Sequence, residues 1–493
     1  MRFMRKTFAA TLACTAAALA LTGCTVADTR SVTAASAPAS GHRVAQRQPN
    51  VIVILADDLG WPDVSAYGSR EARTPNIDRL AQSGVAFRSG YVAASVCAVS
   101  RAGLLTGRQP ASFGFTYNIN EEADAGAGLP ASEPTLAERL KPLGYRTAAI
   151  GKWHLGAEPQ FYPVKRGFDQ FFGFLSGETV YVDPKTPGIV TTPTKSDKGP
   201  LDARKAIGTV VQGPDATPVD DFDKYLTTEI TDHAVDFIEH SGQQPFFAYV
   251  AYNAPHWPLQ VPQAYYDKFS AIKAPVRRTY LAMIAAMDDG IGRIIDTLER
   301  KGLRDDTIIV FLSDNGCPVQ FGFCAPEQPF GAGKFTYLEG GVRVPFILSW
   351  PGRVKPGGMN DSPVSSLDIV PTVLRAAAPR QALPKGLDGE DLVATIEHPP
   401  VKPRLLMWGQ EPVFAARQGP LKLWKSYNWK QTKLFNVESD PWEKTDLSSA
   451  QTADRAALEQ QVESWRATLP KPLWRLHATR KVTIDGRETE WVY

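Results

Sequence analysis

Two polar pairs stand where apolar runs stop. Asn50-Val-Ile-Val-Ile-Leu-Ala runs into Asp57-Asp58, and Thr307-Ile-Ile-Val-Phe-Leu-Ser runs into Asp314-Asn315. Adjacent carboxylates buried together repel each other, and a divalent cation resolves the repulsion. Three carboxylates and one amide oxygen make an oxygen-only set, which suits a hard ion such as Ca2+, with Mg2+ as the alternative, over Zn2+. The histidines agree. Of the seven in the chain, only His154 and His256 follow strand-like runs, too few for a His-rich zinc centre. Either pair alone reads equally well as a turn or a helix cap; their repetition at two run ends is what points to a metal.

Cations form the other half of the pattern. Arg101, Lys152, His154, His256 and Lys334 each lie beside a strand-like run or in a glycine-rich turn. Singly, each reads as a solvated or structural side chain. Brought together near a metal, they would form a pocket for a tetrahedral oxyanion. Cys97, in Ser95-Val-Cys-Ala-Val-Ser-Arg101, is a thiol of undecided role: reactive, packed, or altered after synthesis.

These residues need a scaffold that collects run ends. Arg146-Thr-Ala-Ala-Ile-Gly leads to Lys152-Trp-His154, and Pro245-Phe-Phe-Ala-Tyr-Val-Ala-Tyr leads to Asn253-Ala-Pro-His256. Short apolar, β-branched runs bounded by turn residues read as strands buried on both faces. Helical patterns separate them, at Thr135–Leu143 with Ser132 as its cap, at Lys224–Glu239, and at Arg277–Lys301. The alternation predicts an α/β fold, a large mainly parallel sheet flanked by helices, with the site beyond the carboxyl ends of its strands. From about Pro400, strand-like pieces at Leu405–Trp408, Val413–Ala416, Leu421–Trp424 and Lys433–Asn436 precede a helix over Thr452–Thr468. They predict a small C-terminal antiparallel sheet with one helix. The stretch 177–221, rich in Pro, Gly and Thr, reads as an insertion over the pocket mouth. Tyr181, Tyr252 and Trp257 read either as rings that stack on a substrate or as packing residues.

The whole chain sets limits. Its 43% hydrophobic and 22% charged residues exclude general disorder. Residues 1–24 read as an export signal, with a basic start, an apolar run from Phe8 to Leu21 and then Leu21-Thr-Gly-Cys24. The last four residues resemble a bacterial lipobox, which implies lipidation of Cys24 and a periplasmic or cell-surface location. The apolar run is too short to span a membrane, so membrane contact is expected only through the lipid. Taking Arg2, Arg5 and Lys6 from the 54 basic residues leaves 51 against 52 acidic, which gives no electrostatic case for nucleic acid. Residues 25–47 read as a flexible tether, 48–397 as the catalytic domain and 398–493 as the C-terminal subdomain. Cys14 leaves with the signal, and in an oxidising compartment Cys317 and Cys324 are candidates for a short-loop disulfide.

Six motifs in order resemble the type I sulfatases of the alkaline-phosphatase-like superfamily. They are Ala56-Asp-Asp-Leu-Gly60, Cys97-Ala-Val-Ser-Arg101 with Thr106-Gly-Arg108, Gly151-Lys-Trp-His-Leu-Gly156, Ala254-Pro-His-Trp-Pro258, Ser313-Asp-Asn-Gly316, and Gly333-Lys-Phe-Thr336 with Glu339–Pro345. The resemblance covers roughly 49–389, and Ala416-Arg417, Leu434–Val437 and Asp440–Glu443 are similar to that family's small C-terminal domain.

The resemblance implies that Cys97 is oxidised to formylglycine by a formylglycine-generating or sulfatase-maturating enzyme. Its hydrated aldehyde would attack sulfur, form a covalent sulfate ester and then expel sulfate. Asp57, Asp58, Asp314, Asn315 and residue 97 would hold Ca2+. Arg101 would support the nucleophile, and Lys152 and Lys334 would bind sulfate oxygens. His256 would protonate the leaving oxygen, His154 would act as base, and Ser176 would join the substrate contacts. The implied substrate is a sulfated small molecule or glycan, and an exported, tethered enzyme points to a carbohydrate ester. One position departs from the pattern: the family's modification signal has Pro or Ala two residues after the cysteine, and here stands Val99. An unmodified Cys97 would leave a non-catalytic module that binds sulfated glycans. A formylglycine-dependent phosphatase or phosphodiesterase is the other alternative.

Overall fold

In the computed structural model, strands form where β-branched and aromatic residues run without polar alternation. It describes residues 47–120, 123–194, 208–219, 224–484 and 487–492. The expected signal, Cys14, Cys24 and all of the tether except Arg47 lie outside the described residues. Ten strands make the main sheet, in the order Gly358–Asn360, Val85–Phe87, Phe346–Ser349, Thr307–Ser313, Asn50–Ala56, Phe246–Ala251, Arg146–Lys152, Gln170–Phe174, Val210–Gln212 and Thr217–Pro218. The five strands from Thr307–Ser313 to Gln170–Phe174 run parallel. Antiparallel strands extend the sheet at both sides.

Alternation along each strand divides the core into two layers. Val51, Val53 and Leu55 pack toward one face, Ile52 and Ile54 toward the other. The first layer is covered by helices Cys97–Thr106 and Ile369–Ala377, the second by Leu226–Glu239 and Pro275–Arg300. Each fully buried aliphatic side chain contributes roughly 1.5–3 kcal/mol, so the central strands are held from both sides. Among the described residues no helix is long and apolar enough to cross a membrane.

Two local expectations change. The helix expected at Thr135–Leu143 covers only Leu136–Leu140, and its cap is Thr135, not Ser132. Thr135 Oγ1 accepts from Glu138 N at 3.1 Å, while Glu138 Oε2 accepts from Thr135 N at 2.7 Å. The chain then tightens into a 3-10 turn at Lys141–Leu143, because Pro142 has no N–H to continue the α ladder. The described parts of the stretch 177–221 are also more regular than its composition suggests. Ile189–Thr192 pairs with Leu259–Pro262, and the Val210–Gln212 and Thr217–Pro218 strands lengthen the main sheet.

Near the C-terminus, Leu405–Gln410, Val413–Gln418, Leu421–Ser426 and Gln431–Asn436 form a sequential antiparallel sheet. Helix Thr452–Arg466 places Leu458 and Val462 against Phe414, Ala416, Leu423 and Leu434. The opposite face, with Trp408, Ala415 and Trp424, joins the first core layer of the main sheet. Thr479–Ile484 and Arg487–Val492 add a final hairpin.

Candidate active site

The carboxyl ends of the parallel strands gather the polar pairs. Asp58 follows Asn50–Ala56 and His154 follows Arg146–Lys152, both with left-handed backbones at φ 65° and 55°. Such a conformation costs a non-glycine residue roughly 1–3 kcal/mol and persists where neighbours over-determine it. At Asp58 the neighbour is Tyr280, whose hydroxyl donates to the Asp58 carbonyl at 2.9 Å and accepts from Gly60 N at 3.1 Å. Gly316 follows the second pair and passes so near Gly340 that an added Cβ would lie 1.8 Å from its carbonyl oxygen.

Cys97 is the first residue of helix Cys97–Thr106, so its side chain sits at the positive end of the helix dipole. Arg101 lies one turn on, on the same face. Its buried guanidinium donates through Nε and Nη2 to Asp314 Oδ2, at 3.0 and 2.7 Å, and through Nη1 to the Lys152 carbonyl at 3.0 Å. Lys152 Nζ meets Asp57 Oδ2 at 2.6 Å, and Lys334 Nζ meets Asp58 Oδ1 at 2.7 Å. Lys334 Nζ also lies 3.1 Å from Cys97 Sγ, which is 3.6 Å from Asp57 Oδ1. His256 Nε2 is 3.6 Å from Asp58 Oδ2.

The donor set fits a cation. Ligand atoms of Asp57, Asp58, Cys97 and His256 all lie within 4.8 Å of one another. Asn315 Nδ2 donates to Asp58 Oδ1 at 2.6 Å, while Asn315 Oδ1 is buried with no hydrogen-bond partner among the described residues. A buried acceptor left over beside carboxylates is what a hard cation would satisfy.

Charge and burial set the protonation states. Burial alone would raise Asp57, but Lys152, His256 and Arg101 hold its carboxyl below the usual range. Burial would lower Lys334, yet Asp58, Cys97 and Asp57 keep its ammonium well above the ordinary value. Burial and then Asp314 push the Cys97 thiol up to about 12. Burial, Lys152 and Arg101 drive His154 well below its ordinary value, so the imidazole is neutral.

The structure thus brings together Asp57, Asp58, Cys97, Arg101, Lys152, His256, Asp314, Asn315 and Lys334. His154 lies two residues past the Lys152 strand, with Nε2 3.5 Å from the Ile119 carbonyl. Ser176 stands at the edge, where its hydroxyl donates to the Glu178 carbonyl at 2.9 Å. Its neighbour Gly177 lies against the His154 ring, where an added Cβ would come within 2.9 Å of ring Cε1. Cys317 and Cys324 are disulfide-bonded, with Cα atoms 6.0 Å apart.

Three aromatic residues take packing roles. Tyr252 is buried with its hydroxyl 2.8 Å from Thr231 Oγ1, and Trp257 is buried. Tyr181 is buried with Oη 2.6 Å from the Asn253 carbonyl and 2.9 Å from that of His256, so it anchors the histidine loop. A second anchor lies under the Lys334 loop. Lys422, on the C-terminal sheet and fully buried, reaches Glu339 Oε1 at 2.8 Å and Glu443 Oε1 at 3.2 Å. Glu443 Oε2 accepts from Glu339 N at 2.7 Å. Spacing did not signal this cluster, because its members are 83 and 104 residues from Glu339.

Comparison with known proteins follows the same lines. The family model described as Sulfatase matches residues 49–378. The N-acetylgalactosamine-6-sulfatase of Rattus norvegicus is 35% identical over 369 residues, 71% of this chain and 66% of that protein. Arylsulfatase G of Mus musculus is 34% identical over 375 residues, 70% of this chain and 68% of its own. The alignments thus span about two thirds of the length of these relatives. Ps i-CgsB, solved in complex with k-i-k-neocarrahexaose, superposes with a TM-score of 0.78 at 34% identity, covering 87% of this chain and 95% of that one.

Proposed function

The chain belongs to the sulfatase family of hydrolases, and from that premise we propose that it hydrolyses a sulfate ester of a carbohydrate, using residue 97 as formylglycine. One observation carries the reading. The site converges on Cys97, with Lys334 Nζ 3.1 Å and Asp57 Oδ1 3.6 Å from Sγ, yet burial holds that thiol at about 12. A thiol so rarely ionised is a poor nucleophile at neutral pH. That supports a nucleophile made from residue 97 in another chemical form.

Formylglycine would supply a hydrated aldehyde hydroxyl as the nucleophile, and Ca2+ would polarise a sulfate oxygen. Asp57, Asp58, Asp314 and Asn315 would hold the ion together with residue 97. Arg101 keeps Asp314 in place and ties the helix of residue 97 to the Lys152 strand. Lys152 and Lys334 bind terminal sulfate oxygens and offset charge growing on the leaving oxygen. His256 donates a proton to that oxygen. His154, neutral in its buried setting, accepts one during turnover.

The carbohydrate assignment is supported by the names of the rat relative and of the hexaose complex. Export, the Cys24 anchor and a maturating enzyme as partner belong to the same proposal. The basic-then-apolar start and the Cys317–Cys324 bridge support an oxidising compartment.

Two measurements test the reading. Mass spectrometry of the tryptic peptide Ser89–Arg101 should show aldehyde oxygen in place of sulfur at residue 97. Sulfated oligosaccharides should release sulfate faster than aryl sulfates or phosphate esters are cleaved. An unmodified thiol throughout would move a glycan-binding module to the front, and preference for phosphate would make the protein a phosphoesterase.

A further inference from the structure

We propose that Asn253 is a further sulfate-binding residue, its side-chain amide donating to a terminal oxygen of the bound group; this rests on the sulfatase reading above. Asn253 is 3% exposed, and both Nδ2 and Oδ1 are buried without a hydrogen-bond partner among the described residues. Leaving a buried donor or acceptor unpaired costs about 1–3 kcal/mol. Folded proteins keep such groups where a ligand or a function satisfies them.

The fold turns this amide toward the site. Asn253 follows strand Phe246–Ala251, which lies between the Asn50–Ala56 and Arg146–Lys152 strands. Tyr249 and Ala251 pack in the layer of the Cys97 helix, whereas Val250 and Tyr252 pack in the opposite layer. Two residues beyond Ala251, alternation returns Asn253 to the Cys97 side. Ala251 stands opposite Leu55 on one flank and Gly151 on the other. Asn253 lies two residues past that pairing, in the row of strand ends between the segments that carry Asp57 and Lys152. Asp57 N donates to the Ala254 carbonyl at 3.1 Å, which holds the residue after Asn253 against the first residue past the Asn50–Ala56 strand. Lys152 Nζ crosses this row to reach Asp57 at 2.6 Å.

The backbone of Asn253 is also fixed. Its carbonyl accepts from His256 N at 2.8 Å and lies 2.6 Å from Tyr181 Oη. Meanwhile each site cation already faces a carboxylate: Lys152 faces Asp57, Lys334 faces Asp58 and Arg101 faces Asp314. A neutral amide with free donors adds a contact for an anion without drawing a further counter-charge.

The test compares Asn253→Leu and Asn253→Asp with the wild type in calcium buffer. Asn253→Leu keeps the branched heavy-atom shape and deletes both unpaired polar atoms, so it should melt no lower than the wild type. Its affinity for inorganic sulfate, read by calorimetry, should fall about 10- to 100-fold, the loss expected for a hydrogen bond to a charged group. Asn253→Asp should bind still more weakly, because a carboxylate repels the anion, and kcat/KM should follow the same order. Wild-type affinity in Asn253→Leu would overturn the proposal. So would equal binding by the two variants, a lowered melting temperature with unchanged sulfate affinity, or a wild type that binds no sulfate. Failure of the sulfatase reading is separate: a wild type that binds sulfate yet cleaves no sulfate ester counts against the reaction, while the variant affinities still decide Asn253.

Discussion

Replacing Lys422 with methionine keeps most of the side-chain volume and removes one ammonium. That ammonium is fully buried, 2.8 Å from Glu339 and 3.2 Å from Glu443. Deleting one partner of a buried pair typically costs about 3–5 kcal/mol, because the remaining charge is left uncompensated. Two features place this case near the lower end. Arg343 still reaches Glu339 at 3.1 Å, and Glu443 can take up a proton. Lys422→Met should therefore lower the unfolding free energy by about 3 kcal/mol at pH 7. Urea titration followed by tryptophan fluorescence reads it as a shift in midpoint at constant slope. Adding Glu339→Gln removes the stranded carboxylate, so the double variant should be more stable than the sum of the single losses predicts, by about 1–3 kcal/mol. A loss below about 1 kcal/mol for Lys422→Met, or strict additivity in the double variant, would refute the reasoning that this ion pair clamps the C-terminal sheet to the Lys334 loop.

Three further outcomes are expected. Burial, with Glu339 nearby, raises Glu443 from 4.5 to about 7 against the pull of Lys422, so its contribution to stability is full below 4.5 and lost as the pH rises through about 7; Glu443→Gln should flatten that decline in urea midpoints measured from pH 5 to 8. Calcium at about 100 times its dissociation constant should stabilise the protein by about 2.7 kcal/mol over a chelator control, and Asp314→Asn should shrink the gain; identical thermal melts with and without calcium would remove the metal. Gly316→Ala should cost about 1–3 kcal/mol of stability and lower kcat, since its Cβ would press on the Gly340 carbonyl in the loop that follows Lys334; an unchanged urea midpoint would show that the loop yields freely.

Much of this was legible in the chain, for an identifiable physical reason. Parallel strands covered on both faces must be apolar throughout, so each one that reaches the site announces its end by an abrupt change to polar residues, as at Ala56 to Asp57 and Ser313 to Asp314. Asp57, Asp58, Asp314 and Lys152 could therefore be named as residues that meet at the strand ends, and the fold class with them. Tyr181, Tyr280 and the Lys422–Glu339–Glu443 cluster had no such signal. They act through contacts between segments distant in the chain, and a buried tyrosine reads as packing until its hydroxyl finds a loop carbonyl. The turn at Thr135 was misjudged because Ser132 and Thr135 are both good caps, and only the reciprocal contact with Glu138 decides between them.

The sealing of Cys97 also fixes an order of events in time. In the folded protein residue 97 is only 2% exposed, and Lys334, which closes over its sulfur, lies 237 residues further along the chain. At synthesis rates of roughly 5–20 residues per second, that interval lasts roughly 10–50 s. Any enzyme that acts on this cysteine works within that window, or on a chain held unfolded beyond it. For the proposed conversion of residue 97, slowing closure after synthesis would raise the converted fraction and hastening it would lower that fraction.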